Sequence, residues 1–218
     1  MRNVGSLAGN LMLKHAHPEF ASDVFVLAAG VGATIGVREG ASTVPTRYTP
    51  SEFLSLSMDR KVINWIEFPQ FAATVKFASF KITPRKQNAH AYINGAFKYN
   101  LDASFTVTEK PSIVFGGYGA DLSHALLTED YLVGRKLSEQ GVLDAVVGQY
   151  LQLDLDASTP DLDPVLSDIA YRTRLVKALF YKVKIYLKSH EFREAVTDLI
   201  YVYIYSGCSF CIGRVPVC

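Results

Sequence analysis

The residues best placed to do chemistry stand at the start of the chain. Gly5, Ser6, Ala8 and Gly9 are small, and Asn10 closes the run with a side-chain amide ahead of an apolar stretch. Without bulky side chains a backbone can approach a ligand closely and turn its N–H groups toward phosphate or hydroxyl oxygens. A Gly–Ser turn with an Asn cap is an ordinary loop of the same composition. Other constellations are weaker. Cys208 and Cys211 have the C-x-x-C spacing of a redox pair or half a zinc site, yet zinc needs two more ligands, and Cys218 with a distant His is a strained set. No metal is therefore expected. His15 and His17 could share one strand face, but a surface loop is the expected setting for them. His90, His124 and His190 have no Ser, Cys or carboxylate at suggestive spacing. Gly116-Gly117-Tyr118-Gly119 lacks the Lys-Ser/Thr of a phosphate loop and reads as a strand-ending turn.

The elements that must position these residues follow from pattern. Ser22-Asp23 predicts a helix start ahead of the apolar run Val24–Ala29, broken by Gly30 and Gly32. A strand is expected over Ala33–Val37, another around Thr43–Tyr48, and a capped helix from Thr49-Pro50-Ser51-Glu52 through Leu56. Strands then follow at Lys61–Phe68, Thr74–Ile82, Ala91–Asn100, Ser104–Thr108 and Ser112–Gly116, with short connections that imply an antiparallel sheet. Helices are expected at Ala125–Arg135, Glu139–Leu151 and, after a polar loop with Pro160 and Pro164, Ser167–Lys188. This order implies an α+β fold.

Composition narrows the function classes. The 218 residues are 49% hydrophobic and 20% charged, which is globular rather than disordered. Lys and Arg number 22 against 21 Asp and Glu, a net charge of +1, so nucleic acid and acidic membrane surfaces are not expected partners. No apolar run reaches the ~20 residues that cross a bilayer. The three cysteines all fall in the last eleven positions, which suits a reducing compartment, and a cytoplasmic location is expected.

Five segments, in order, carry a resemblance to a known family. RNVGSLAGNLMLKH at Arg2–His15 and PEFASDVFVL at Pro18–Leu27 resemble insect-type aldehyde oxidases. FASFKITPRKQNAHAY at Phe77–Tyr92, IVFGGY at Ile113–Tyr118 and SDIAYRTRLVKALFYK at Ser167–Lys182 resemble later segments of the same proteins. The chain thus resembles the aldehyde oxidase and xanthine dehydrogenase family, molybdo-flavoenzymes, over Arg2 to about Lys188.

The resemblance implies the second half of an FAD-binding α/β domain, followed by a small antiparallel sheet packed with helices. Family members oxidise aldehydes or heterocycles at a molybdenum cofactor and pass electrons through two 2Fe-2S clusters to FAD. This chain lacks the cysteine clusters those iron–sulfur centres require, so FAD is the cofactor it could serve. Family members are homodimers, and the remaining portions of such an enzyme are expected partners. The family's flavin contacts carry over onto Ser6, Leu7, Ala8, Gly9 and Asn10 as a loop at the cofactor, and onto Asp23, Ile63 and Lys81. A carboxylate at Asp23 would accept hydrogen bonds from hydroxyls, although a helix-start Asp serves the helix dipole equally. Lys81 would favour negative charge on a reduced flavin, and a lysine on an exposed strand face has the same sequence signature. Ile63 would lie beside the cofactor or be a plain buried strand residue.

Departures from the family are informative too. Phe53–Arg60 lacks the Gly-Tyr-Arg associated with nicotinamide binding in the dehydrogenases, and Arg85–Asn88 lacks their acidic residues, which favours oxygen as acceptor. The family's loop lies within a domain, and its partner half carries the pyrophosphate loop, so the chain is expected to be a fragment. The isolated chain is then not expected to oxidise substrate. A non-catalytic remnant or interaction module that binds no flavin is the alternative. The divisions expected are 1–70 for the flavin-domain half, 71–190 for the sheet-and-helix domain, and 191–218 for a tail that leaves the pattern, read as translated non-coding sequence or a frameshift.

Overall fold

Short polar side chains set where the first elements begin. In the computed structural model, which describes residues 5–85, 89–119, 122–160 and 168–188, Ser6 caps helix α1 (Leu7–Ala16) by accepting from the Gly9 N–H at 3.0 Å. Ser22 caps α2 (Asp23–Val31) by accepting from the Phe25 N–H at 3.0 Å. Thr49 and Glu52 form a reciprocal capping box on α3 (Pro50–Ser55), with Pro50 in the first turn. α2 ends where Gly32 takes the left-handed conformation at φ 78°.

Two antiparallel sheets follow. The first has the order β2-β1-β3, with β1 (Thr34–Glu39) between β2 (Thr46–Tyr48) and β3 (Lys61–Glu67). The Trp65 ring lies over Gly36, its cross-strand partner; a Cβ at Gly36 would meet that ring at 2.2 Å, and the register shifts immediately after it. The second sheet runs β4-β5-β6-β7, from β4 (Val75–Ile82), β5 (Ile93–Asn100), β6 (Ser112–Gly116) and β7 (Ser123–His124).

α2 packs across β5 and β6, where small residues permit a close approach. A Cβ at Gly30 would stand 2.4 Å from the Ala96 Cβ. Val26, Ala28, Ala29 and Val31 share a buried cluster with Phe77, Ala96 and Val114. The larger core lies on the second sheet's other side. There Phe97 and Phe115 meet edge to face at 5.4 Å beneath α4 (Leu126–Leu132), α5 (Gln140–Ala145), α6 (Leu151–Asp156) and α7 (Ile169–Lys188). On α7 the buried residues Val176, Leu179, Phe180, Val183 and Leu187 keep helical spacing. Arg172, almost fully buried, donates from Nη1 to the carbonyls of Gly117 and Tyr118 at 2.8 and 3.2 Å and ties α7 to the turn after β6.

The α+β class and the antiparallel pairing agree with the sequence reading, and several local expectations change. Leu7–Asn10 are the first turn of α1 rather than a loop, because Ser6 supplies the cap and Leu11 anchors the helix in the core. Gly30 lies inside α2, where its missing side chain admits Ala96. Ser104–Thr108 forms no continuous strand: Ser104 lies in a turn and Thr106 and Val107 make only isolated bridges, because the Asp102 carboxylate captures the N–H groups of Ser104 and Thr106, both at 2.8 Å, in competition with a strand ladder. The helix expected over Glu139–Leu151 continues through a π turn (Val146–Tyr150) into α6. Asp154 there holds the start of α4, accepting from the N–H groups of Leu127 and Thr128 at 2.8 and 2.9 Å. Lys86–Asn88, Ser167, His190 and the tail with its three cysteines lie outside the described residues.

Candidate functional site

The site begins where α2 crosses the second sheet. Asp23 is the first residue of α2, and Lys81 lies near the end of β4. These residues are 58 positions apart, yet Lys81 Nζ donates to Asp23 Oδ2 at 2.7 Å. Asn94, the cross-strand partner of Lys81 on β5, donates from Nδ2 to Asp23 Oδ1 at 2.8 Å. One carboxylate is thus gripped on both oxygens, by a cation and by an amide. Asp23, Lys81 and Asn94 line a cleft of about 70 Å³ together with Val26, Leu27, Ser79, Phe80 and Gly95.

A second polar link joins α1 to this point. The Ser22 hydroxyl accepts from the Phe25 N–H and donates to Asn10 Oδ1. Asn10 therefore braces the start of α2, one residue before Asp23. Of the residues singled out in the sequence, the structure brings Asn10, Asp23 and Lys81 into one connected set. Ser6, Leu7, Ala8 and Gly9 form the preceding cap and first turn of α1 and do not line the cleft. Ile63 does not line it either; it packs at the edge of the Leu11, Phe25, Ile35, Val37 and Phe53 cluster.

The arrangement is chemically suited to polar donors. An ionised carboxylate offers about four acceptor positions, so Asp23 keeps capacity on each oxygen for a ligand hydroxyl. Lys81 contributes a cation at the cleft, paired with the Asp23 carboxylate. With both side chains partly exposed, the pair adds only about 0–1 kcal/mol to folding. Asn94 was not singled out in the sequence. An Asn inside an otherwise apolar, core-facing strand (I-N-G-A-F) was the available signal.

The other constellations resolve structurally. His15 stands on α1, where its Nε2 lies 2.7 Å from the Leu56 carbonyl oxygen and its ring packs on Phe53 at 5.3 Å. His17 caps the end of that helix beside Glu19. His124 does have a carboxylate neighbour: its Nδ1 is 3.7 Å from Glu129, which is buried and accepts from the Ile113 N–H at 2.7 Å. Among the described residues, no group of three or more His, Cys, Asp or Glu could hold a metal ion.

Residues 78–187 match the family described as the CO dehydrogenase flavoprotein C-terminal domain. An indole-3-acetaldehyde oxidase of Zea mays is 31% identical over 151 residues, covering 67% of this chain and 11% of the relative. An aldehyde oxidase-like protein of Oryza sativa subsp. japonica is 29% identical over 160 residues, covering 67% and 12%. The chain thus spans about a tenth of the length of these two relatives. Among solved structures, quinoline 2-oxidoreductase from Pseudomonas putida 86 superposes with a TM-score of 0.66 at 20% identity, covering 83% of this chain and 59% of that one. Carbon monoxide dehydrogenase from Hydrogenophaga pseudoflava gives 0.65 at 20% identity, covering 82% and 58%. These structural likenesses establish the fold. With half of its residues matched by the family model, the chain belongs to the CO dehydrogenase flavoprotein C-terminal domain family.

Proposed function

We propose that this chain is the FAD-binding, electron-transferring portion of an aldehyde oxidase-like molybdo-flavoenzyme that oxidises aldehydes to carboxylic acids with oxygen as acceptor. The observation that carries the reading is the meeting of Asp23 and Lys81 in one cleft. Both were singled out from the family resemblance, independently of any contact between them. When bound, FAD supplies the redox centre that takes up and releases electrons. In this reading Asp23 accepts hydrogen bonds from flavin hydroxyls, and Lys81 counters negative charge at the cofactor. Ser6–Asn10 present the N-terminal end of α1, where backbone N–H groups and the helix dipole favour oxygen-rich ligands. Ile63, outside that cleft, would flank a part of the cofactor that the cleft does not hold.

The aldehyde oxidase names of the relatives and the missing Gly-Tyr-Arg at Phe53–Arg60 support the aldehyde and oxygen assignments. In the same reading the chain divides at 70/71 and 190/191, resides in the cytoplasm, and joins the remaining portions of a homodimeric enzyme. No helix among the described residues is long and apolar enough to cross a membrane.

A second reading, a remnant that binds no flavin, is favoured by one observation. The cleft's volume of about 70 Å³ falls below the ~300–1,000 Å³ of usual ligand pockets, so only part of a flavin could enter it. A titration of FAD with the full chain, followed by fluorescence quenching, separates the two. Saturable binding weakened about tenfold or more by Lys81→Met, and by bulky substitutions in Ser6–Asn10, is expected. A folded chain that leaves FAD fluorescence unchanged establishes the remnant instead.

A further inference from the structure

Asn94 is an expensive choice for its position. It stands on β5 with 2% of its surface exposed, and its Oδ1 is buried without a hydrogen-bond partner. An orphaned buried acceptor carries its full desolvation penalty. An apolar side chain there would avoid that penalty.

What the amide does make is directed at α2. Nδ2 donates to Asp23 Oδ1 at 2.8 Å and reaches the Ala21 carbonyl at 3.4 Å. The reversed amide would set Oδ1 against the Asp23 carboxylate, so charge fixes the orientation. The space for this arrangement comes from Gly116 on β6. A Cβ there would stand 2.3 Å from Asn94 Oδ1 and 2.6 Å from Val26. Two positions, 94 and 116, are thus shaped around one hydrogen bond to a carboxylate at the cleft.

We propose that Asn94 is a positioning residue. It holds the Asp23 carboxylate from the buried side while Lys81 holds it from the open side, so that its spare acceptor positions are presented to ligand hydroxyls. The ligand class is a polyol or sugar bearing hydroxyl donors. That part rests on the flavin reading above, in which the donors belong to the FAD ribityl or ribose groups.

The test has two arms on the full chain. In the first, Asn94→Leu and, as a smaller replacement, Asn94→Ala are titrated with FAD, alone and combined with Asp23→Asn. Each is expected to weaken FAD about tenfold in the wild-type background and less than about twofold when Asp23 is already Asn. Equal losses in both backgrounds would show a merely structural role and overturn the proposal. The second arm needs no flavin and no Asn94 variant. The Asn94 side-chain N–H signals are followed by hydrogen exchange in the wild-type chain and in Asp23→Ala. Protection lost on removing Asp23 supports the proposal; protection indifferent to Asp23, or absent from the start, overturns it. Asp23-dependent protection in a chain that binds no FAD supports the hold of Asn94 on Asp23 and overturns the flavin reading together with the ligand class that rests on it.

Discussion

At the scale of single residues, neighbours on one strand take up different tasks. On β5, Asn94 serves the cleft, whereas Tyr99 is buried in the large core and Lys98 reaches the Val31 carbonyl at the end of α2. Burial, reinforced by the negative charge of Glu129, holds the Tyr99 phenol neutral well past the ordinary tyrosine value of 10.0. The folded state therefore keeps a proton that the unfolded chain releases above pH 10. Stability from this group is complete below that pH and falls as the pH rises beyond it. Lys98 has the opposite sign: burial lowers its pKa, so its cost is relieved as the pH climbs toward 10.5. Tyr99→Phe leaves Lys98 in place, so the difference isolates the phenol. Melting curves across about pH 9 to 11 are expected to fall more steeply for the wild type than for the variant. Parallel curves would show that Tyr99 ionises without unfolding the chain.

At the scale of elements, caps explain which boundaries were readable. Thr49-Pro50-Ser51-Glu52 is a complete local signal, and α3 begins there. Ser22-Asp23 marks α2 for the same reason. α1 was hidden because Gly9, a poor helix former, follows Ser6 and Ala8 in a run that equally suits a turn. The Ser6 cap and the burial of Leu11 beside Phe25 and Phe53 together decide for helix. Asp154 was invisible as a cap because it acts on Leu127 and Thr128 from a different helix. Ser22 does two tasks at once, capping α2 and bonding to Asn10. Ser22→Ala is therefore expected to cost about 1–2 kcal/mol, above the ordinary ~1 kcal/mol of a lost cap, since Asn10 loses its partner as well. Urea titration reads the difference; a loss of about 1 kcal/mol or less, the cap by itself, would show the Asn10 contact to be weak.

At the scale of the whole molecule, α2 joins the two sheets. Its Phe25 side packs with Leu11, Ile35 and Val37 of the first unit, and its Val26, Ala29 and Val31 pack with Phe77, Ala96 and Val114 of the second sheet. Trp65, the single tryptophan, reports on the first sheet, whereas far-UV circular dichroism reports on every element. The two probes are expected to give coincident urea transitions, because neither sheet can open without uncovering α2. A tryptophan transition at lower urea would show that the β2-β1-β3 sheet unfolds by itself. By itself the sequence determined the α+β order, most strands, two capped helix starts, and the family through five segments in order. Those signals are local, carried by periodicity, turn residues and caps within a few positions. Tertiary structure alone decided that Asp23 and Lys81 share a cleft, that Ile63 does not reach it, and that Asn94 stands behind Asp23. Such placements depend on Gly30 and Gly116 letting α2 settle onto β5 and β6, a long-range approach that no local pattern encodes.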